Sequence, residues 1–266
     1  MQVFVEPDVG AVAKRAATEV IEGLTGGAHR ANGAVSHGIV VGLATGSSPL
    51  GLYRELALAQ TAGLIDFSSA HGFALDEYVG LPARHPQSYR EVLLREVCGP
   101  LGLAPERLHV PDGSATDEES LIAAASDYER AIAAVGGVDV QILGIGVNGH
   151  LGFNEPGSSL ASRTRVKRLT ARTRSDNARF FDSIDDVPTH CVTQGLGTVL
   201  DARRLVLVAT GPSKADAVAA ALEGPLTASC PGSVLQWHPD AVAVLDEAAA
   251  VGLRNRHYYD DSAAGL

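Results

Sequence analysis

The sequence predicts an α/β fold built on a doubly wound, mostly parallel sheet with helices on both faces. Short apolar runs recur along the chain, which is typical of strands buried on both faces of a parallel sheet. Longer segments with apolar residues at helical spacing alternate with these runs, as crossover helices would. The chain has 266 residues and contains no linker or low-complexity tract. We therefore expect one Rossmann-like domain over residues 1–266.

The first half of the sequence contains four predicted strands and four predicted helices. The strands are predicted at 3–5, 39–44, 70–75 and 108–110. The helices are predicted at 8–25 with Asp8 as N-cap, from Pro49 onward, at 88–97, and at 116–135 with a capping box between Thr116 and Glu119. Residues 29–37 are predicted to form a polar loop.

The second half continues the alternation around a polar interruption. Strands are predicted at 140–145, 204–209 and 241–245, with a helix opening at 210–215, another after the last strand as far as Arg254, and an aromatic tail at Tyr258. Residues 158–189 combine a strand-like stretch with a polar helix over 172–186. We expect this segment to be a mobile excursion from the core, of the kind that often forms a lid. Residues 190–200 are predicted to be helical or irregular.

Composition and charge exclude several classes of function. The net charge of −10 argues against a nucleic-acid partner. No apolar segment is long enough to span a membrane and no signal peptide is visible. The three cysteines are far apart, which indicates a reducing cytoplasm and argues against zinc or a disulfide framework.

Positive charge is nevertheless concentrated in one segment. Residues 163–179 contain seven of the 21 basic residues, and as a group they suggest contact with an anion. These are Arg163, Arg165, Lys167, Arg168, Arg172, Arg174 and Arg179. Taken singly, most of these side chains fit a solvated basic loop better.

Two turns that link a strand to a helix have the features of a phosphate site. Thr45, Gly46, Ser47 and Ser48 lie between a predicted strand and a helix, where free amides, hydroxyls and the positive end of the helix dipole converge. The turn at 210–214 repeats this arrangement and adds Lys214. Neither turn has the spacing of a dinucleotide fingerprint or a Walker loop, which disfavours an NAD(P) dehydrogenase. An ordinary capped turn remains an equally good interpretation of the first.

Acid–base residues follow two other predicted strands. Asp76 and Glu77 come directly after the strand at 70–75, and a partly buried aspartate there can accept a carbon-bound proton. The glycine-rich loop at 144–157 contains Asn148, His150 and Glu155, which are suitable for proton transfer near neutral pH. A capped turn is an equally good interpretation of Asp76 and Glu77, and a glycine-rich turn with incidental polar residues is the alternative for the loop.

Taken together, five segments resemble glucosamine-6-phosphate deaminase. They are 43–49, 75–82, 144–157, 159–167 and 211–214, and they extend along most of the chain. The resemblance implies a cofactor-free, metal-free isomerisation with deamination, in which glucosamine 6-phosphate and water give fructose 6-phosphate and ammonia. It implies that His150 opens the sugar ring, that Glu155 and Asn148 position the imidazole, and that Asp76 moves the proton from C2 to C1. Glu77 would help to hold the site.

The same resemblance implies how the substrate phosphate is bound. The predicted phosphate ligands are the 45–48 loop, Arg179 and Lys214. Many family members have Asp where this chain has Asn148. Because Asn cannot ionise, we expect a less basic imidazole than in those members.

Some members of the family are hexamers activated by N-acetylglucosamine 6-phosphate between subunits. Ser158, Arg165, Lys167 and Tyr258 match that pattern, so a homo-oligomer, with a hexamer favoured, and an activator site are predicted. Arg168 departs from it, since those members commonly have a small hydroxyl residue there. The rival interpretations are a 6-phosphogluconolactonase-like hydrolase and a non-catalytic sugar-phosphate sensor.

Overall fold

The computed structural model describes residues 1–26, 38–115 and 117–264. The strands within these ranges are β1 Gln2–Glu6, β2 Val40–Leu43, β3 His71–Ala74, β4 Asp76–Tyr78, β5 Leu108–His109, β6 Val140–Leu143, β7 Arg165–Arg168, β8 His190–Thr193, β9 Arg204–Ala209 and β10 Ala241–Asp246. The α-helices are α1 Val9–Thr25, α2 Leu50–Thr61, α3 Tyr89–Leu93, α4 Gly99–Leu101, α5 Glu118–Ala134, α6 Ala171–Asn177, α7 Leu196–Leu200, α8 Ala215–Glu223, α9 Glu247–Ala250 and α10 Arg256–Ala263.

Seven of these strands form a parallel sheet in the order β1-β10-β9-β6-β2-β3-β5. Its central strands β2, β6, β9 and β10 are apolar and almost wholly buried, as expected for strands covered on both faces. Helix α1 packs across β1, β9 and β10, and α2 packs on α1. The predicted α/β, mostly parallel fold is therefore confirmed.

The direction in which the chain adds strands reverses between β2 and β6. From β2 the chain builds outward through β3 to β5, and from β6 it builds the other way through β9 to β10. The loops that follow β2 and β6 consequently diverge and leave a crevice at their carboxyl ends. The loops predicted to bear chemistry follow the strands around this crevice.

A second, antiparallel sheet has the order β4-β8-β7. The chain passes from the main sheet into this one within two residues, because Leu75 still donates to Leu43 in β2 and Asp76 already begins β4. Tyr78, Phe153, Leu169 and Cys191 form a separate small core beneath it. Asp76 is thus held at the junction of two sheets.

The second sheet corrects two predictions. Residues 190–200 are not simply helical or irregular, because 190–193 form β8 between β4 and β7 before α7 begins. The 158–189 segment is not a separate excursion, because β7 joins that sheet and Leu169, Thr173 and Val187 are buried. The long polar helix predicted over 172–186 is only the short α6, followed by two 3-10 turns.

Helix ends are defined by side-chain caps where the sequence offers them. Asp8 accepts from the Ala11 amide at 2.9 Å and caps α1, as predicted. Asp117 caps α5 through the Ser120 amide at 2.8 Å. The capping box predicted from Thr116, and the polar loop predicted at 29–37, lie outside the described residues.

Other helix boundaries differ from prediction. The helix expected at 88–97 is the short α3, followed by a π-helical turn over Leu94–Cys98 and then α4. The helix expected after β10 as far as Arg254 is only the short α9, and the predicted aromatic tail lies in a separate helix, α10. No helix in the described part of the chain is long and apolar enough to cross a membrane.

Candidate active site

The predicted site residues converge at one edge of the main sheet. Four neighbouring strands, β9, β6, β2 and β3, end there, and each leads into a predicted segment. These segments are the 210–214 turn, the 144–157 loop, the 45–48 loop and Asp76. The same edge contains the switch point between β6 and β2, which is where open α/β sheets bind ligands.

Asp76 is a buried carboxyl group on this edge, only 5% exposed. Burial raises its pKa to about 8, and the negative charge of Glu77 adds to the shift. Hydrogen bonds with Phe153 and Thr193 oppose the rise. Since Phe153 belongs to the 144–157 loop, Asp76 is in direct contact with the loop that contains His150. A carboxyl group with this pKa can take up a proton and give it back near neutral pH.

Glu77, the neighbour of Asp76, is bound to the start of α3. Its Oε1 accepts from the amides of Tyr78 at 2.8 Å and Tyr89 at 3.0 Å. Its Oε2 accepts from the Ser88 hydroxyl at 2.7 Å and the Arg90 amide at 3.0 Å. Both oxygens are thus engaged within the chain, which makes Glu77 a support for α3. Its predicted contact with substrate stays a prediction.

His150, Glu155 and Asn148 form one group on the loop after β6. His150 Nδ1 lies 3.7 Å from Glu155 Oε2, which is longer than a hydrogen bond and makes the contact mainly electrostatic. Asn148 joins the two residues, since its Nδ2 donates to Glu155 Oε2 at 2.8 Å and its Oδ1 accepts from the His150 amide at 3.3 Å. The His150 side chain is 19% exposed, so a ligand in the crevice can reach it.

The backbone around His150 has no room for side chains. A Cβ placed on Gly146 would lie 2.2 Å from His150 Cε1, so the imidazole rests directly on the peptide backbone. On the other side of the loop, a Cβ on Gly149 would lie 2.7 Å from Cys230 Sγ. The Gly232 amide also donates to the Gly149 carbonyl at 2.7 Å. The loop therefore packs closely against the His150 imidazole at Gly146 and against the 227–233 turn at Gly149.

Glu155 is buried yet held in the ionised form. Burial alone would raise its pKa, but contacts with His150, Thr173 and Asn148 outweigh burial and lower the pKa to about 2. The Thr170 hydroxyl donates to Glu155 Oε1 at 3.1 Å, and the Thr173 hydroxyl donates to the same oxygen. Both threonines come from the start of α6, which places that helix against the loop that contains His150.

The loop after β2 offers backbone amides at the start of α2. Pro49 occupies the N-cap position and supplies no side-chain cap. Among the described residues, none accepts a hydrogen bond from the amides of 46–48. The side chain of Thr45 is hydrogen-bonded to Tyr89, which fixes one end of the loop. Unpaired amides at a helix N-terminus are suited to binding an anion.

Lys214 links two of the strand-end loops. Its Nζ donates to the Ile145 carbonyl at 2.7 Å, so the turn after β9 is tied to the loop after β6. Burial lowers the pKa of Lys214, Asp176 opposes that effect and Arg179 reinforces it. The charge of Arg179 therefore acts on Lys214. Arg179 itself is exposed, and its guanidinium lies 4.7 Å from the Phe180 ring centroid. Both predicted basic phosphate ligands therefore belong to the same region.

The residues predicted for an activator site are not all brought together within one chain. Arg165 and Lys167 are two residues apart on β7, which packs against β8 and α5. Ser158 is 3% exposed, and its hydroxyl has no hydrogen-bond partner among the described residues. Tyr258 is 68% exposed on α10, which packs instead against the edge strand β1.

The basic segment at 163–179 is not a single anion site. Arg163 pairs with Glu129 at 2.5 Å and with Asp201 at 2.6 Å. Other members are engaged as well, because Arg172 pairs with Asp176, Arg174 donates to the carbonyls of Ile184 and Val187, and Arg165 donates to the Arg163 carbonyl. Arg163 thus ties the segment to α5 and to the residue after α7, whereas the other contacts lie within residues 163–187. Contact of the group with an anion stays a prediction.

Several supporting residues were missed at the level of sequence. The Tyr89 hydroxyl donates to the Tyr78 hydroxyl at 3.2 Å and so connects the Thr45 loop with β4. Thr173 binds Glu155 from a helix 18 residues further along the chain. Neither contact has a local sequence signal, because each depends on how distant elements pack.

The chain has the fold of a known protein family. A family profile described as glucosamine-6-phosphate isomerases/6-phosphogluconolactonase matches residues 7–244. The chain therefore belongs to this family of isomerases and lactonases.

Within the family, the chain is similar to glucosamine-6-phosphate deaminases. It is 58% identical over 226 residues to the deaminase of Pseudarthrobacter chlorophenolicus, covering 84% of this chain and 86% of that protein. It is 57% identical over 227 residues to the deaminase of Streptomyces avermitilis, covering 85% of this chain and 86% of that protein. The predicted resemblance and the prediction that the chain is an enzyme are both confirmed.

Solved structures give the same result. A monomeric glucosamine-6-phosphate deaminase superposes with a TM-score of 0.86 at 36% identity, covering 95% of this chain and 100% of that one. The 6-phosphogluconolactonase of Trypanosoma brucei superposes with a TM-score of 0.74 at 18% identity, covering 95% of this chain and 98% of that one. At that identity the lactonase is evidence for the shared fold only.

Proposed function

We propose that this chain converts D-glucosamine 6-phosphate and water to D-fructose 6-phosphate and ammonia, a reaction of amino-sugar catabolism. The observation that carries the proposal is the contact of Asp76 with the loop that contains His150 and Glu155, at the switch point of the sheet. A carboxyl group with a raised pKa and an imidazole beside an ionised partner are the two proton carriers that this reaction needs.

The phosphate is bound first in this scheme. The free amides of 46–48 at the N-terminus of α2 face it, with Lys214 and Arg179 as the basic residues. Lys214 exchanges its bond with the Ile145 carbonyl for one with a phosphate oxygen. Anchoring this remote group fixes C1 and C2 of the sugar near Asp76 and reduces the entropic cost of the later steps.

Ring opening is assigned to His150. The imidazole takes the proton of the O1 hydroxyl and delivers a proton to the ring oxygen, so that the C1–O5 bond breaks and an open-chain aldehyde forms. Glu155 stays ionised because its pKa is about 2, and its charge stabilises the imidazolium that exists between the two transfers. Asn148 holds the Glu155 carboxylate and the backbone of His150 in fixed positions relative to each other through its two hydrogen bonds.

The isomerisation is assigned to Asp76. Its carboxylate takes the proton from C2, and the C1 oxygen gains a proton as the nitrogen loses one, which gives an enolamine. Asp76 then returns the proton to C1, which leaves an imine at C2. Water then adds at C2 and ammonia departs, giving the ketose. A C2 ammonium beside Asp76 would lower its pKa from about 8 and favour the ionised, basic form when substrate is bound.

The two rival functions have less support. The lactonase structure is related at 18% identity, whereas the deaminases match at 57% and 58%. A non-catalytic sugar-phosphate sensor would not require a buried Asp76 with a raised pKa beside the His150 loop. Both rivals predict the same outcome, namely no ammonia from glucosamine 6-phosphate.

The test is ammonia release from glucosamine 6-phosphate, measured alongside hydrolysis of 6-phosphogluconolactone. Wild type should release ammonia, and Asp76→Asn should lower kcat by about 10²-fold or more because its general base is lost. Asp66→Asn, which alters an exposed aspartate in a turn, is the matched control and should retain wild-type kcat. Wild-type protein that hydrolyses the lactone and releases no ammonia would refute the proposal.

Finer features extend the same proposal. We infer a homo-oligomer, with a hexamer favoured, and activation by N-acetylglucosamine 6-phosphate through Ser158, Arg165, Lys167 and Tyr258. The similar solved deaminase is described as monomeric, so sedimentation with and without the activator is the deciding measurement. A monomer with hyperbolic kinetics that ignores the activator would contradict both inferences. A cytoplasmic location is part of the proposal too.

A further inference from the structure

The start of α6 lies against Glu155 and divides the environment of its carboxylate. Thr170 and Thr173 donate their hydroxyls to Oε1, while Asn148 and His150 lie on the side of Oε2. Each oxygen is therefore held by a different element: one by α6 and the other by the His150 loop. Rotation of the carboxylate would break contacts on both sides at once.

Thr170 and Thr173 have different structural roles. Thr170 is the N-cap of α6, since its hydroxyl accepts from the Thr173 amide at 3.1 Å. The helix therefore uses the backbone of Thr173 for its cap, and the Thr170 and Thr173 hydroxyls also lie 3.1 Å apart. The Thr173 hydroxyl, in a residue 3% exposed, is directed to Glu155.

We propose that Thr173 is a positioning residue, whose hydroxyl holds Oε1 of Glu155 so that Oε2 stays directed at His150 during ring opening. The proposal rests on the proposed function, because it assigns Thr173 a part in the step catalysed by His150. Without this donor, Oε1 would keep only the bond from Thr170 at 3.1 Å, so the buried carboxylate would be less well solvated and its charge less firmly fixed beside the imidazole. The effect on chemistry is thus indirect, through Glu155.

The surroundings of Glu155 limit what else could act on it. The titratable groups that face it are His150 on its own loop and the Cys191 thiol on β8. The α6 groups that contact Glu155 are the hydroxyls of Thr170 and Thr173, which bear no charge. Any change in the ionisation of Glu155 after substitution of Thr173 can therefore be traced to the lost hydrogen bond.

The kinetic test compares three variants. Thr173→Val removes the hydroxyl but keeps the shape, and Thr173→Ser keeps the hydroxyl. Thr198→Val is the matched control, because the Thr198 hydroxyl also donates to a partly buried carboxylate, Glu129, at 2.5 Å and away from the site. We expect kcat to fall about tenfold or more in Thr173→Val, recover to within about threefold in Thr173→Ser, and stay at the wild-type value in Thr198→Val.

A spectroscopic test does not depend on activity. The ¹³C signal of the Glu155 carboxyl, assigned by its loss in Glu155→Gln, should not move between pH 7 and pH 4.5 in wild type or in Thr198→Val. In Thr173→Val it should begin to titrate over that range, because a donor to the ionised form is lost.

The outcomes separate this inference from the proposed function. Wild-type kcat in Thr173→Val, a loss that serine does not restore, or an unchanged Glu155 signal would each overturn the role of Thr173. Absence of ammonia release in wild-type protein would overturn the proposed function instead, and the carboxyl titration would still report whether Thr173 holds Glu155.

Discussion

At the level of single residues, two buried carboxyl groups in the site are held in opposite states by their surroundings. Asp76, beside Glu77, has a pKa raised to about 8, whereas Glu155, surrounded by donors, has a pKa lowered to about 2. Groups whose environments separate their pKa values in this way are suited to different roles in proton transfer. In the proposed function, Asp76 exchanges protons with the substrate and Glu155 provides a permanent charge.

Gly146 allows a prediction about the imidazole. Gly146→Ala would place a methyl group 2.2 Å from His150 Cε1, so the ring must move from its place beside Glu155. We expect kcat to fall by about 10²-fold, with a loss of about 1–3 kcal/mol in the free energy of unfolding. Steady-state ammonia release and chemical denaturation measure the two effects.

The control for this variant lies two residues earlier. A Cβ on Gly144 would meet nothing within 4 Å, so Gly144→Ala should keep kcat within about threefold of wild type. If Gly146→Ala were as active as Gly144→Ala, the close packing of the imidazole on the backbone would have no part in catalysis.

The main site residues could be predicted from sequence because each lies in the segment that follows an apolar strand. Asp76, His150 and Lys214 are of this kind, and the parallel arrangement of their strands brings them to one edge. Thr173 could not be predicted, since its contact with Glu155 depends on the packing of α6. No sequence pattern indicates that Glu77 accepts hydrogen bonds from the amides at the N-terminus of α3.

At the level of elements, β10 supports the turn that contains Lys214. Asp246, at the end of β10, accepts from the Gly211 amide with both carboxylate oxygens at 3.0 Å, and from the Ala249 amide at 2.8 Å as the cap of α9. One side chain thus ties the turn after β9 to the helix after β10. The position of Lys214 depends on this link.

We predict that Asp246→Ala raises KM for glucosamine 6-phosphate about tenfold with a smaller change in kcat. The Gly211 amide would lose its hydrogen-bond acceptor, and the 210–214 turn that contains Lys214 would be less ordered. Asp246→Asn keeps an acceptor and should restore most of the affinity. Asp117→Ala removes a comparable cap from α5 and should leave KM unchanged, so an equal rise in both alanine variants would contradict the assignment.

The elements that sequence analysis missed share one cause. β4 and β8 are short, and they pair with each other across more than a hundred residues of chain. β4 consists of Asp76, Glu77 and Tyr78, which lack the alternation that marks a half-buried strand. The strands of the main sheet were easier to predict because each is an apolar run in its own right.

At the level of the whole molecule, the site has a cost in stability that depends on pH. The folded state raises the pKa of Asp76 to about 8, well above the value of about 3.9 expected in an unfolded chain. Between these values the unfolded chain releases a proton that the folded protein retains. The contribution of Asp76 to stability is therefore fully present below about pH 4 and is lost as pH rises toward 8.

Asp76→Asn should consequently be inactive but more stable than wild type at pH 8. The asparagine does not ionise, so the difference in free energy of unfolding should grow from pH 5 to pH 8 and reach at least about 1 kcal/mol. Urea denaturation of both proteins across this range measures it. A difference that is constant with pH would mean that Asp76 is not protonated in the folded free protein.

The packing of Cys230 against the loop that contains His150 provides a way to detect motion of that loop in the wild-type protein. Cys230 Sγ is packed against Gly149 on the face of the loop away from the imidazole, and the Cys230 residue is 8% exposed. We predict that a thiol reagent modifies this sulfur faster when the loop separates from the 227–233 turn. The rate of Cys230 modification therefore measures how often the loop opens, and any slowing by a sugar phosphate measures how firmly that ligand closes it.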